Sequence, residues 1–248
     1  MLKIMHVVGV RPNFPKVAPI MADMAKYPDH FSQILVHTGQ YSDYNMSQVF
    51  FEHLDSPEPD EFLNVASGTH AVQTANVMTA FDPSLSKHQP DWVFVAGDIN
   101  STLGCALVCC KRGIRIAHVE AGLRSWDRNI PEEFNRLLTD QMSDLLFTSS
   151  REANENLLRE CISPDKIHFV GNVMIDTIGR LLAKVLERNS LSALGLVPRT
   201  YILVTLHRPS SVDNTPTLKE VMTALAQGQT CGRLSFRFTR ALVQGSRV

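Results

Sequence analysis

Residues 91–120 read DWVFVAGDINSTLGCALVCCKRGIRIAHVE. A short apolar run ends at Gly97-Asp98, a helical stretch from Asn100 is stopped by Gly113, and a second apolar run, RIAHVE (115–120), follows at once. Two near-continuous apolar runs separated by one helix read as parallel strands buried on both faces, since a strand with one wet face would alternate. The unit repeats in both directions. Upstream lie the strand patterns KIMHVVGV (3–10) and FSQILVHTG (31–39), with helical spacing in KVAPIMADMAKY (16–27) and HAVQTANVMTAF (70–81). Downstream, helices are expected over 131–144, 151–161 and 173–188, with strands over 145–150 and 166–172 between them. The alternation predicts an α/β fold, a doubly wound parallel sheet of Rossmann-like type, over residues 1–188.

Residues 189–199, NSLSALGLVPR, read as a linker. The strand pattern TYILVTLHR (200–208) and the helix pattern TPTLKEVMTALAQ (215–227) then begin a second α/β unit, of which only the start is expected. The tail, 228–248, has no clean period and carries Arg233, Arg237, Arg240 and Arg247; a shifted reading frame would produce such a segment.

Composition closes off several classes. With 24 basic and 25 acidic side chains the net charge is -1, which argues against a general nucleic-acid binder. No apolar run approaches membrane-spanning length. The N-terminal apolar run is too short for a signal sequence and meets Arg11-Pro12, so a cytoplasmic protein is expected. The five cysteines are Cys105, Cys109, Cys110, Cys161 and Cys231, and no two have C-x-x-C spacing. Buried reduced thiols are expected, and no metal site.

In an open parallel sheet, ligands sit beyond the carboxyl ends of the strands. This chain places Arg11 and Lys16 after the first strand and Gln40 after the second. Asp98 follows the third, Glu120 ends the next with Arg124, Glu132 and Glu133 close behind, and His207-Arg208 follows LVTL. Each has a plain structural reading when taken alone. Asp98 can cap a helix, Glu132 and Glu133 suit the first turn after Pro131, Arg11 and Lys16 can be solvated charges, and His118 belongs to the core. Glu120, flanked by apolar residues, needs a partner if buried. Five strand ends bearing such groups on one edge point to a site. Cations at a helix start suit a diphosphate, and carboxylates in a partly apolar cleft can exchange protons. The expected substrate is anionic and phosphate-bearing, with proton transfer at a nearby atom. No G-x-G-x-x-G follows the first strand and no P-loop motif occurs, which disfavours a dinucleotide cofactor and P-loop hydrolysis.

GVRPNFPKVAPI (9–20), HTGQYSDYNMSQVFF (37–51), VAGDINSTL (95–103), HVEAGLRSWDRNIPEEFNR (118–136), VGNVMIDT (170–177) and VTLHRPSSVDN (204–214) follow in order over residues 1 to about 225. They resemble the non-hydrolysing UDP-N-acetylglucosamine 2-epimerases. The resemblance implies two Rossmann-like domains in the glycosyltransferase-B arrangement, a UDP-sugar between them, no cofactor and a homodimer. It also implies a reaction: UDP is eliminated across C1–C2 and re-added, interconverting UDP-N-acetylglucosamine and UDP-N-acetylmannosamine. By motif, Asp98, Glu120 and Glu132 would be the acid/base carboxylates, with His207 in the catalytic set. Arg11, Lys16, Gln40, Arg124 and Arg208 would hold the substrate. The family's later segments for diphosphate, ribose and uracil have no counterpart after Gln227, so the first domain is expected to fold and the polypeptide to be inactive or nearly so. A hydrolysing 2-epimerase that releases UDP and free N-acetylmannosamine stays open as an alternative. So does a non-catalytic sugar-nucleotide-binding module, although three clustered carboxylates speak against it.

Overall fold

A computed structural model describes residues 1–39, 57–188, 190–199, 201, 204, 206 and 214–228. The chain divides into two units, Met1–Leu182 and Ala183–Val248. Among the described residues of the first unit lie seven strands: β1 (Leu2–Val8), β2 (Phe31–His37), β3 (Glu61–Phe62), β4 (Trp92–Ala96), β5 (Arg115–Ala121), β6 (Leu145–Thr148) and β7 (Ile167–Phe169). They form one parallel sheet in the order β3-β2-β1-β4-β5-β6-β7. Its helices are α1 (Phe14–Met24), α2 (His70–His88), α3 (Asn100–Arg112), α4 (Pro131–Met142), α5 (Arg151–Arg159) and the start of α6 (Val173–Glu187). Strand order reverses at β1, with β2 on one side and β4 on the other, and such a switch point is where doubly wound sheets bind ligands.

The near-continuous apolar strands exist because both faces are covered. Met5, Val7, Val93, Val95 and Ile116 point to one face and pack on Val77, Phe81 and Leu85 of α2 and Cys105, Ala106 and Cys109 of α3. Their neighbours Ile4, Val8, Phe94, Ala96, Ala117 and Val119 point to the other and meet Phe14, Val17 and Met21 of α1, with Val173 and Leu181 of α6 beside them. Thr177, between those two α6 residues, donates its hydroxyl to the Pro15 carbonyl. The opposite side of α6 leaves Ile175, Ile178 and Leu182 exposed.

Some boundaries differ from expectation. α2 does not stop at Phe81 but runs through Pro83 to His88 and closes on a left-handed Gln89. Proline removes a backbone donor and weakens a helix, yet Ser84 and Leu85 just beyond it are buried, and that packing carries the helix on. The two-residue β3 is too short to leave a periodic trace. Cys105 and Cys109, four apart on α3, are buried thiols, and burial pushes the Cys109 thiol up to about 12. Cys110 turns about 100° around the helix and is exposed, as is Cys161, so the expectation of buried thiols holds for two of the four described.

In the second unit the expected linker 189–199 contains a helical turn, α7 (Ser190–Ala193), and the expected helix is α8 (Thr215–Gly228). The strand expected over 200–208 lies mostly outside the described residues, as does the tail. Among the described residues no helix is long and apolar enough to cross a membrane.

Candidate active site

The site forms where β1, β4 and β5 end. Beyond Ala96 the chain turns at Gly97 with φ of +68°, a left-handed conformation that costs glycine little. A Cβ on Gly97 would lie 2.9 Å from Lys16 Nζ and 3.6 Å from Glu120 Oε2, so the bare backbone lets an amine and a carboxylate close over the end of β4. Lys16, in the first turn of α1, forms an ion pair with Glu120; their side chains are 14% and 21% exposed. Asn13 braces the floor. Its Oδ1 accepts from the Gly9 and Val10 amides, each at 3.1 Å, and its Nδ2 donates to the Ala96 carbonyl at 2.8 Å.

Glu120 has a φ of +70°, and the β5–β6 register slips between Val119 and Ala121. Such a bulge re-aims a side chain that regular pleating would direct elsewhere. A non-glycine residue in this conformation costs about 1–2 kcal/mol. Besides Lys16, Glu120 faces a cavity of about 260 Å³ whose walls include Ile20, Met24, Phe94, Phe147, Val173 and Asp176.

Asp98 is engaged by α4 rather than by its own helix. The first turn of α3 has no side-chain cap; instead Asp98 Oδ2 accepts from Arg136 Nη2 at 2.5 Å and Nε at 2.9 Å. Arg136 also donates through Nη1 to Glu133 Oε2 at 2.8 Å. Glu133 is 2% exposed and accepts from the Ser125 amide and hydroxyl, both at 2.9 Å, and from the Trp126 amide at 3.0 Å. Burial pushes its carboxyl up, but Ser125, Trp126 and Arg136 together hold it below the ordinary value.

A buried polar cluster stands behind Glu120. The His118 ring lies between Asp140 Oδ1, at 2.6 Å from Nδ1, and the Gly97 carbonyl, at 2.8 Å from Nε2. Asp140 also accepts from the Gly122 amide at 3.1 Å and pairs with Arg124 Nη2 at 2.7 Å. One carboxylate therefore ties the residues flanking Asp98 and Glu120 into one frame. His118 belongs to the interior as expected, but as the hydrogen-bonded link between two strand ends.

Of the residues expected at the site, the fold gathers Lys16, Glu120 and the Gly97-Asp98 turn. Glu132 is half-buried in the first turn of α4, and no hydrogen bond or ion pair to its side chain is found among the described residues. Arg11 opens the short 3-10 turn before α1. Gln40, His207 and Arg208 lie outside the described residues. Arg124, expected to hold the substrate, has a buried head: Nε and Nη2 donate to Glu160 at 2.7 and 2.6 Å, Nη2 also pairs with Asp140 at 2.7 Å, and Nη1 donates to the Leu123 carbonyl at 2.7 Å, so four of its five N–H groups are engaged. Sequence reasoning missed Asn13, Arg136 and the framing role of Glu133. Glu133 and Arg136 did leave a signal, an acid and a base three apart on one helix face.

A family model described as UDP-N-acetylglucosamine 2-epimerase matches residues 24–236. The chain belongs to the UDP-N-acetylglucosamine 2-epimerase family. Among its relatives, a UDP-N-acetylglucosamine 2-epimerase of Methanocaldococcus jannaschii is 41% identical over 89% of this chain and 61% of its own length. A UDP-2,3-diacetamido-2,3-dideoxy-D-glucuronate 2-epimerase of Pseudomonas aeruginosa is 40% identical over 92% of this chain and 64% of its own. The crystal structure of the Methanocaldococcus jannaschii UDP-GlcNAc 2-epimerase in complex with UDP-GlcNAc and UDP superposes with a TM-score of 0.85 at 38% identity, covering 96% of this chain and 66% of that one. This family member thus spans less than two thirds of the length of the curated relatives it matches.

Proposed function

We propose that this site epimerises a UDP-2-acetamido-2-deoxyhexose at C2, with UDP-N-acetylglucosamine as the first candidate, by eliminating and re-adding UDP. The observation that carries the reading is the pairing of Lys16 with Glu120 over the bare Gly97 turn, next to Asp98 with its Arg136. The C2 hydrogen of such a sugar has no adjacent carbonyl to acidify it. Its removal must therefore accompany departure of the diphosphate, with a carboxylate taking the C2 proton as the C1–C2 double bond forms and UDP leaving with the C1–O electron pair. Re-addition with a proton delivered to the opposite face gives the epimer, so the chemistry needs carboxylates in more than one position and cations for the leaving group. Asp98, Glu120 and Glu132 are the proposed acid/base set. In this reading Lys16 attends the diphosphate, and Arg11, Gln40, His207 and Arg208 join by motif. The relatives named above act on 2-epimerase substrates that share the UDP and the 2-acetamido group, which supports the class more firmly than either sugar. A cytoplasmic homodimer is part of the proposal.

Because the 248-residue chain covers only part of its relatives' length, the sensitive test is exchange rather than net turnover. UDP-N-acetylglucosamine incubated with the chain in D2O is expected to gain deuterium at C2 slowly, with the signal lost in Glu120→Gln. Bound substrate with no exchange would refute the acid/base reading. Release of free N-acetylmannosamine would favour a hydrolysing enzyme.

A further inference from the structure

Trp126 is 61% exposed and its backbone is left-handed, with φ of +60°. Both features are unfavourable for a free-standing residue: the indole gains little burial and the backbone conformation costs about 1–2 kcal/mol. The conformation is imposed by Glu133, whose carboxylate receives the Ser125 and Trp126 amides. The rest of the loop is braced as well. Asp127 Oδ1 accepts from the Asn129 amide and side chain, both at 2.9 Å, and the Ile130 amide donates to the Asp127 carbonyl at 3.1 Å. Arg128 lies over the Phe134 ring, 5.0 Å from its centroid, and so is held against α4. The loop therefore fixes the Trp126 backbone and leaves a large flat ring mostly exposed.

Its position is set by the same acid. Trp126 N, Glu133, Arg136 and Asp98 form one unbroken run of hydrogen bonds, so the backbone that carries the indole is anchored to the group that holds Asp98. We infer that Trp126 contacts the ligand as an aromatic wall, stacking on the apolar face of the hexose ring, with Glu133 as its positioning residue. This rests on the proposed function. The hexose is favoured over the uracil because the sugar, and not the base, must reach Asp98.

The chain has two tryptophans, and the other, Trp92, opens β4 at the end of the strand away from the site, with Arg115 over its ring at 4.7 Å. Trp92→Phe therefore leaves Trp126 as the sole indole reporter. Titrating that protein with UDP-N-acetylglucosamine should shift its emission saturably, and UDP alone should not. Trp126→Ala should weaken UDP-N-acetylglucosamine binding roughly tenfold by calorimetry, the scale of one aromatic stacking contact. It should leave UDP affinity and the melting temperature unchanged, because an exposed side chain contributes little packing. Trp126→Phe should restore most of the loss, and Glu133→Gln should reduce the emission response at unchanged far-UV ellipticity. An equal shift with UDP alone would overturn the assignment to the sugar. UDP-N-acetylglucosamine binding with silent emission and unchanged affinity in Trp126→Ala would overturn the inference and leave the proposed function standing. No binding of UDP-N-acetylglucosamine by any variant would remove both.

Discussion

Asp140→Asn replaces a carboxylate by an amide of nearly the same shape at a position with 0% exposure. The carboxylate serves three donors: His118 Nδ1 at 2.6 Å, the Gly122 amide at 3.1 Å and Arg124 Nη2 at 2.7 Å. An asparagine accepts through one oxygen only, so its amino group must face a donor, and Arg124 keeps a single acidic partner, Glu160 at 2.6 Å. Removing one member of a buried ion pair costs about 3–5 kcal/mol. The surviving Glu160 contact places the expected loss near the lower end, about 3 kcal/mol, which is about 6–12 °C in Tm for a unit of this size. Melting curves at pH 7 measure it, with Asp82→Asn, which breaks an exposed pair with Arg112, as the reference. A fall no larger than that of the reference would refute the claim that the cluster frames the strand ends. Acid gives a second check. Burial pushes the Asp140 carboxyl up, but the His118 and Arg124 interactions outweigh it, and it lies below its ordinary 3.8. A depressed carboxyl contributes stability that is present above the unfolded value and lost as pH falls through the folded one. The variant should therefore lose part of its sensitivity below pH 3.8.

Two further outcomes follow from the packing around the sheet. Burial holds His6 and His37 down at about 4, against 6.5 in the unfolded chain, so unfolded protein takes up protons that folded protein refuses between those values. Urea midpoints should be flat above pH 6.5, fall toward pH 4 and level off below it as far as these two groups are concerned; a flat profile across that window would refute the assignment. Gly122→Ala would set a Cβ 2.5 Å from the Ala153 carbonyl oxygen at φ of +79°, and backbone cannot move aside as a side chain can. Overpacking and left-handed strain together should cost about 3 kcal/mol or more. Gly179→Ala on α6, with nothing within 4 Å, should cost nothing; equal melting temperatures for the two variants would contradict the geometry.

The parallel sheet was legible because strands buried on both faces must be apolar throughout, and DWVFVA and RIAHV are. The continuation of α2 past Pro83 was not, since the compensating burial of Leu85 is tertiary. At the candidate site, the placement of Lys16, Asp98 and Glu120 at one edge of the sheet was legible because strand ends follow from the apolar pattern. The partners of Arg124 were not legible for a related reason. Its distance in sequence from Glu120 says nothing of the turn at Gly122, which sends the guanidinium inward to Asp140 on α4 and Glu160 just beyond α5. The work of Glu133 was hidden by its neighbour: two adjacent acids in a first helical turn look alike, and only the fold shows which is buried and bonded to the Trp126 loop.

The left-handed backbone at Glu120 bears on how such a chain tolerates evolution in the laboratory. Glycine, or to a lesser degree asparagine, would relax the backbone there, setting about 1–2 kcal/mol of relieved strain against the loss of the Lys16 ion pair. A library sorted for thermal tolerance alone would weigh only that balance and would be blind to the proposed proton exchange. Position 120 therefore has to be locked before any campaign to harden this scaffold begins.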